Sequence, residues 1–296
     1  WRAREPLPGP GGSLAGAVIA GRIAVFGGGA AHEYDPASGA WRALAPPLGL
    51  REQAHAAAVD GRIFAVGGAH EVLYLPPSEA PAIAAVSNAA GFQPALAPGA
   101  IGSLFGERLS LGSMTAAGGT PARLNAVEVL VNGRAAALFH AGPRQINFLL
   151  PRDAAPGEAR VVVRNAGVES APRSLTVAPA APGIFSLDGS GRGQGAVLIA
   201  GAGLIARATR DAFSRAPRRG ETVEIYATGL GGDSAPVVTI GGAQAEVLFA
   251  GPAPGLPGVD QVNARVPAAS ATGIAVPVSI RAGGAASNEV TIAVVE

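Results

Sequence analysis

The sequence contains no cysteine, and this absence removes several kinds of chemistry. Disulfides, thiolate-ligated zinc and thiol nucleophiles are excluded. The lack of cysteine does not determine the cellular compartment, since many secreted β domains carry no disulfide.

Charge is scarce and evenly balanced. Charged residues make up 15% of the 296 residues, whereas a typical soluble domain has about 25%. The 22 basic and 21 acidic residues give a net charge of +1, and the densest basic run is Arg215, Arg218 and Arg219. Nucleic-acid binders usually carry a basic excess or stripe, so we predict no nucleic-acid partner. No run of 18 consecutive apolar residues occurs, which predicts no membrane span.

Glycine and proline are abundant instead. The 43 glycines and 25 prolines are 68 of 296 residues, about twice the usual share. Both residues disrupt helix interiors, while a hydrophobic content of 48% does not fit a disordered chain. These numbers predict an all-β protein with many tight turns.

A 40-residue repeat occupies the N-terminal part. The recurring landmarks are Trp1-Arg2-Ala3 with Trp41-Arg42-Ala43, Gly21-Arg22-Ile23 with Gly61-Arg62-Ile63, Gly27-Gly28 with Gly67-Gly68, and Tyr34 with Tyr74. Short apolar strands are predicted on both sides of each small-residue turn, and a period of 40 to 50 residues is typical of propeller blades.

Residues 1–80 resemble the kelch repeat on this pattern of an apolar strand, a glycine pair, a tyrosine and a tryptophan seven positions later. The motif residues are Gly27, Gly28, Tyr34, Trp41, Gly67, Gly68 and Tyr74. The resemblance implies that the glycines turn the chain near a propeller axis and that the aromatic residues pack between blades. It brings no cofactor, because the Tyr–Cys group of kelch copper oxidases needs a cysteine.

About two blades are present, whereas a closed propeller needs about four to eight, and Pro81 stands where the repeat would place the next tryptophan. We interpret residues 1–80 as truncated, with further blades upstream of Trp1; the alternative is that the blades are vestigial. The first residues show no signal-peptide pattern, so we expect none within this chain. Open strand edges predict marginal stability for these residues alone.

A longer duplication follows. Strands and turns recur at offsets of 121, 109, 116 and 117 residues, and the second copy carries seven extra residues at 252–258, in a Pro/Gly loop of the kind that tolerates insertion. The matching landmarks are Ala100 to Phe105 with Glu221 to Tyr226, Val129 to Gly133 with Val238 to Gly242, Gln145-Ile146-Asn147 with Gln261-Val262-Asn263, and Gly167 and Ser170 with Gly284 and Ser287.

Short strands with regular turn signals over about 100 residues predict a β-sandwich in each copy. They resemble immunoglobulin-like sandwiches of the IPT/TIG type, with domains at 81–179 and 180–296. Residues 82–296 also resemble an uncharacterised C-terminal module of secreted soil bacterial proteins, on segments such as Ile225 to Gly231 and Ser287 to Thr291. That resemblance implies a fold and a location but no activity. Asn288 has no counterpart in the first copy, where Ala171 stands.

Two motifs mimic binding loops. Gly201-Ala202-Gly203-Leu204-Ile205-Ala206 matches a dinucleotide fingerprint, but no crossover helix can follow it, so we predict a hairpin turning at Gly201 to Gly203. Asp188-Gly189-Ser190-Gly191 faintly resembles a calcium loop, yet one carboxylate cannot supply the six to eight oxygens that calcium needs. We predict a plain turn there.

Six residues are candidates for facing a ligand. His32 and His70 follow the glycine pairs, and Gln145 with Asn147 and Gln261 with Asn263 alternate with apolar neighbours on predicted strands. Surface loops and structural hydrogen bonds explain the same residues. We identify no catalytic, metal or cofactor-binding residue.

The leading hypothesis is a non-enzymatic, extracellular or cell-surface bacterial protein that binds, adheres or acts as a spacer, with an extracellular glycan or protein as candidate partner. A second hypothesis makes the chain an accessory of a carbohydrate-active propeller enzyme whose catalytic blades lie upstream of residue 1. A third is an intracellular kelch scaffold for protein interactions.

Overall fold

The computed structural model describes residues 4–9, 14–19, 22–27, 30–44, 55–59, 62–66, 80–110, 112–124, 126–165, 167–232 and 235–296. These residues form strands and turns without any helix, so no membrane-spanning helix is found among them. The all-β prediction is confirmed. The chain divides into two compact units, Trp1–Pro77 and Ser78–Glu296.

The first unit contains an antiparallel four-strand meander and a separate hairpin. The meander strands are β1 (Ala15–Ile19), β2 (Arg22–Gly27), β3 (Ala30–Asp35) and β4 (Ala40–Leu44), and the hairpin strands are β5 (His55–Val59) and β6 (Arg62–Val66). The strands predicted at the small-residue turns are therefore present. A closed propeller is not seen in the described part of this unit, and the kelch identity stays a proposal.

The core of the first unit is small. Fully buried Phe26 and Ile63 pack with alanines and Leu44. Tyr34 and Trp41 stand opposite each other on β3 and β4, with ring centroids 5.0 Å apart, so this aromatic pair lies within one sheet. The motif residues Gly28, Gly67, Gly68 and Tyr74 lie outside the described residues.

The second unit begins with a two-sheet sandwich. Its strands are β7 (Ala82–Asn88), β8 (Ala95–Leu96), β9 (Ile101–Glu107), β10 (Met114–Thr115), β11 (Val127–Val131), β12 (Arg134–Ala135), β13 (Ala137–Ala141), β14 (Gln145–Leu149), β15 (Gly157–Asn165), β16 (Val168–Glu169) and β17 (Arg173–Val177). One sheet has the order β10-β13-β14-β9-β7, and the other has β12-β11-β15-β17-β8 with β16 beside β15. Alternating residues of both sheets, such as Ile146, Phe148, Val161 and Val163, fill the core.

A second core follows, built from the remaining strands of the unit. They are β18 (Gly183–Ile184), β19 (Val197–Ile199), β20 (Leu204–Ala206), β21 (Ser214–Arg215), β22 (Thr222–Thr228), β23 (Val237–Ile240), β24 (Ala243–Pro252), β25 (Asp260–Arg265), β26 (Gly273–Ala282), β27 (Ala285–Ala286) and β28 (Val290–Val294). The strand order is β21-β20-β19-β22-β25-β24-β23-β26-β27, with β18 beside β22 and β28 beside β26.

The long strand β24 joins the two halves of this arrangement. Its first residues pair with β23, and residues from Glu246 onward pair with β25. In the first sandwich the same path is split: β12 pairs with β11, and β13 pairs with β14.

Matching hydrogen bonds support the duplication seen in the sequence. Ser170 Oγ accepts the Val163 amide at 3.0 Å, and Ser287 Oγ accepts the Ile280 amide at 2.9 Å. Equivalent hairpins turn at Asn132-Gly133 and at Gly241-Gly242, where all four residues have positive φ. Asparagine and glycine adopt this backbone most readily, which explains the turn signals.

Candidate binding groove at the sandwich junction

Asn88, at the end of β7, is fully buried and joins the two sandwiches. Its Nδ2 donates to the Ala181 carbonyl at 2.9 Å, and its Oδ1 accepts the Ala90 and Gly91 amides. One side chain thus fixes both the turn after β7 and the segment that leads into the second copy.

Thr228, at the end of β22, makes a second connection. Its hydroxyl donates to the Gly258 carbonyl at 2.6 Å and accepts the Ile101 amide at 2.9 Å. Gly258 belongs to the inserted loop, and a Cβ there would collide with Leu149 and Ile101 of the first sandwich. Part of the inserted Pro/Gly loop therefore packs against the other copy.

Asn288 lies beside the junction. Its amide group donates to the carbonyls of Ile184 and Gly191, and its Oδ1 accepts the Ile184 amide at 2.8 Å. Gly91 of the first copy lies so close that an added Cβ would stand 2.7 Å from Asn288 Oδ1. The hydrogen bonds of Asn288 thus lie within the second copy, and its side chain approaches the first copy closely at Gly91.

The segment connecting the copies runs against the end of β22. The Ala181 amide donates to the Gly229 carbonyl at 2.9 Å. Gly229 and Gly231 have φ of +80° and +74°, and any Cβ on them would run into the Ala181 and Pro179 carbonyls respectively. These glycines of the Ile225 to Gly231 motif therefore permit close contact between two backbones.

An open groove of about 810 Å³ lies beside this junction. Its lining combines turns of the first sandwich with the end of β22, the outer part of β24 and the inserted loop. The described lining includes Arg152, Val247, Leu248, Phe249 and Asp260. Leu248 and Phe249 are 48% and 44% exposed, so the groove offers apolar contact surface next to backbone polar groups.

Asp260 is the one carboxylate among the described lining residues, and Arg152 is the one guanidinium. Burial raises the pKa of Asp260, against the opposing effects of the Leu230 and Gly229 amides and of Arg152. The Leu230 amide donates to Asp260 Oδ2 at 3.1 Å. The carboxylate thus holds the turn after β22, and the two lining charges offset each other.

The sequence candidates lie elsewhere. His32, on β3, packs edge-on against Trp41 at 6.5 Å and lines a crevice of about 10 Å³, which is the size of a single water. His70 lies outside the described residues. The four amide residues bond within their sheets: Gln145 donates to Asn147 at 2.9 Å, and Gln261 donates to Asn263 at 2.8 Å. Ligand contact by any of these residues remains a prediction.

The two mimics of binding loops are structural turns. β19 and β20 form an antiparallel hairpin around Gly201 and Gly203, both with positive φ. Asp188 accepts hydrogen bonds from the amide and hydroxyl of Ser190 and from the Ser186 hydroxyl, and these bonds lower its pKa to about 2. No cluster of three metal-ligating side chains occurs in the described ranges.

The sequence reasoning missed the groove. Its walls come from both copies, and its polar groups are largely backbone atoms, which leave no motif. Two sequence signals marked the groove: the extra residues at 252–258, and the decrease from 121 to 109 residues in the separation between matching segments of the two copies.

Comparisons with known proteins add distant likenesses. The sequence matches no protein-family model and no curated protein. Solved structures that align with it include SGBP-B from a complex xyloglucan utilization locus in Bacteroides uniformis, with 15% identity and a TM-score of 0.24 over 73% of this chain and 49% of that one. Domains 5-6 of the S-layer protein SbsC align with 11% identity and a TM-score of 0.23 over 73% and 99% of the two chains.

The I9-I11 tandem from titin aligns over 95% of both chains with 13% identity and a TM-score of 0.21. The chain spans about half the length of the SGBP-B structure. TM-scores this low carry no argument about function, which is therefore derived from the junction and its groove.

Proposed function

We propose that residues 78–296 form a rigid, non-enzymatic module of an extracellular bacterial protein, which acts as a spacer and docking element built from two immunoglobulin-like sandwiches. The observation that carries this proposal is the pair of hydrogen-bonded connections that Asn88 and Thr228 make between the two copies.

The connecting segment supports rigidity. Residues 178–182 separate β17 from β18, and Ala180 and Ala181 within them are buried. The Ala178 amide donates to the Leu96 carbonyl at 2.9 Å, so the segment is bonded at both ends. A flexible linker would be exposed and rich in unbonded backbone groups.

The carboxylates support a binding role over catalysis. Glycoside hydrolysis commonly uses two carboxyl groups placed on either side of the bond, whereas the described groove lining supplies Asp260 alone. The extracellular location rests on the resemblance of residues 82–296 to modules of secreted bacterial proteins.

The absence of cysteine makes a direct test of rigidity simple. Cysteines introduced at exposed Ala117 and Ile274 carry one spin label on each sandwich, and pulsed electron spin resonance measures the distance between them. We expect one narrow distance distribution that broadens when Asn88→Ala is added. A broad distribution in the unaltered background would overturn the rigid-module proposal.

Catalysis and location need separate assays. Incubation of the full chain with a panel of polysaccharides should release no reducing sugar above a heat-denatured control, and turnover would refute the non-enzymatic role.

Protease treatment of intact cells that express the complete protein should digest it. Full protection inside intact cells, with digestion after lysis, would contradict the extracellular location.

A further inference from the structure

The two sandwiches treat one sheet edge differently. In the first, β10 pairs with the outer edge of β13, matching Met114 with Ala141 and Thr115 with His140. The covering segment adds two backbone bonds: Ala116 N donates to the Phe139 carbonyl at 2.9 Å, and Leu138 N donates to the Pro121 carbonyl at 2.8 Å. An extended piece of the chain thus closes this edge.

The described residues of the second sandwich include no such covering segment. Nineteen residues connect β9 to β11, but eight connect β22 to β23. From Glu246 to Pro252, β24 pairs with β25 on one side, and within the described part of the chain no residue pairs with its other side. In the part of the chain that the structure describes, this edge is therefore open, and its residues Val247 to Pro252 line the groove.

The open edge has the same local geometry as the covered one. A β-bulge lies between Leu138 and His140 in β13, and another lies between Val247 and Phe249 in β24, 109 residues later. Bulges often protect edges from pairing. The bulge in β13 does not prevent β10 from pairing, so the bulge in β24 is compatible with an added strand.

We propose that β24 from Glu246 to Pro252 binds an extended, uncharged segment of a partner polypeptide, which adds to the sheet antiparallel to β24. Main-chain hydrogen bonds give such strand addition its affinity, and side-chain pockets give it specificity. The proposal names the occupant of the docking element and so rests on the docking half of the proposed function.

The chemistry of the occupant follows from the groove and from the covered edge. Arg152 and Asp260 offset each other in the described lining, and exposed Leu248 and Phe249 favour apolar neighbours. In the first copy, the paired residues Met114 and Thr115 are both uncharged.

The first copy also supplies a probe for the test. A fluorescein-labelled synthetic peptide with the sequence of residues 112–121 is titrated into the full chain, and fluorescence anisotropy reports binding. A matched peptide in which the residue equivalent to Ala116 is proline removes the amide that donates in the covered edge. We expect saturable binding of the first peptide and at least tenfold weaker binding of the second.

Variants of the chain locate the binding edge. Leu248→Lys places a charge on the edge, and Val247→Pro removes the amide equivalent to that of Leu138. Each should weaken binding at least tenfold with an unchanged circular dichroism spectrum. Ile274→Lys, at a 78% exposed position outside the groove lining, is the matched control and should bind like the unaltered chain.

The outcomes separate cleanly. Absence of binding at millimolar peptide, or equal binding by Leu248→Lys, overturns the proposal. Self-association of the full chain in sedimentation experiments that Leu248→Lys abolishes makes a second copy the occupant and also overturns it. Peptide binding with a broad label distance distribution refutes rigidity alone, whereas a narrow distribution without peptide binding refutes strand addition alone.

Discussion

Replacing Thr228 tests the hydrogen-bonded junction most directly. Thr228 is fully buried, and its hydroxyl serves the Gly258 carbonyl and the Ile101 amide, which lies 127 residues away in the sequence. Thr228→Val preserves the shape of the side chain and leaves both backbone groups without this partner. Each buried group that loses its partner costs about 1–3 kcal/mol, so we expect the free energy of unfolding to fall by about 3 kcal/mol.

Thr228→Ser is the matched control. It retains the hydroxyl and loses one buried methyl group, which costs about 1 kcal/mol. The ordering of stabilities should therefore be wild type, serine variant, valine variant. A hydrophobic role for Thr228 would give the opposite order for the two variants.

The assay must follow the second unit specifically. Both tryptophans, Trp1 and Trp41, belong to the first unit, so their fluorescence does not report on the junction. Urea unfolding monitored by far-ultraviolet circular dichroism follows the whole chain, but the first unit is identical in all variants, so differences between variants report on the second unit. Hydrogen exchange at the Ile101 amide gives the local effect. Unchanged exchange at Ile101 in Thr228→Val, or a valine variant as stable as the serine variant, would refute the reasoning.

Three further predictions concern other parts of the fold. Arg215 donates to both Glu221 carboxylate oxygens, at 2.7 and 2.8 Å, and lowers the pKa of that carboxyl to about 2, so the resulting stabilisation is present above pH 4.5 and is lost as the pH falls toward 2. Glu221→Gln should therefore lower the free energy of unfolding in urea by about 1 kcal/mol at pH 7 and by less at pH 3. A difference that does not change with pH would contradict this. Phe26→Ala should lower the free energy of unfolding of the first unit by about 3–5 kcal/mol, because Phe26 lies in its small core. An unfolding transition, followed by tryptophan fluorescence, that does not shift would show that the core lies elsewhere. Gly229→Ala should lower the free energy of unfolding, measured by thermal unfolding, by about 3 kcal/mol, because its Cβ meets the Ala181 carbonyl. Gly133→Ala, at a similar φ but with open space around the Cβ, should lower it by about 1 kcal/mol. Equal losses of stability would refute the close backbone contact.

Limited proteolysis addresses the marginal stability predicted for residues 1–80. The first unit should be cleaved well before the second, since its buried core is small. Equal resistance of both parts would contradict this expectation.

The sequence determined the local structure of this protein to a large extent. Glycine and proline content, alternation of apolar residues and the turn signals at Asn132-Gly133 and Gly241-Gly242 indicated an all-β chain with hairpins in the right places. These properties depend on neighbours in the chain, because a strand places alternate residues on opposite faces and a tight turn requires residues that tolerate positive φ. The hairpin at Gly201 to Gly203 was recognised because the sequence after it leaves no room for the crossover helix of a dinucleotide-binding unit.

The tertiary structure alone decided how the two sandwiches are joined and where they are open. Asn88 and Thr228 bond to backbone groups 93 and 127 residues away, and those partners carry no side-chain signature. The open edge of β24 was recognised only by comparison with the equivalent strand β13, whose edge is covered by β10. Backbone pairing and the close approach of two glycine-containing segments depend on the path of the whole chain, so they became apparent only once both copies were placed in space.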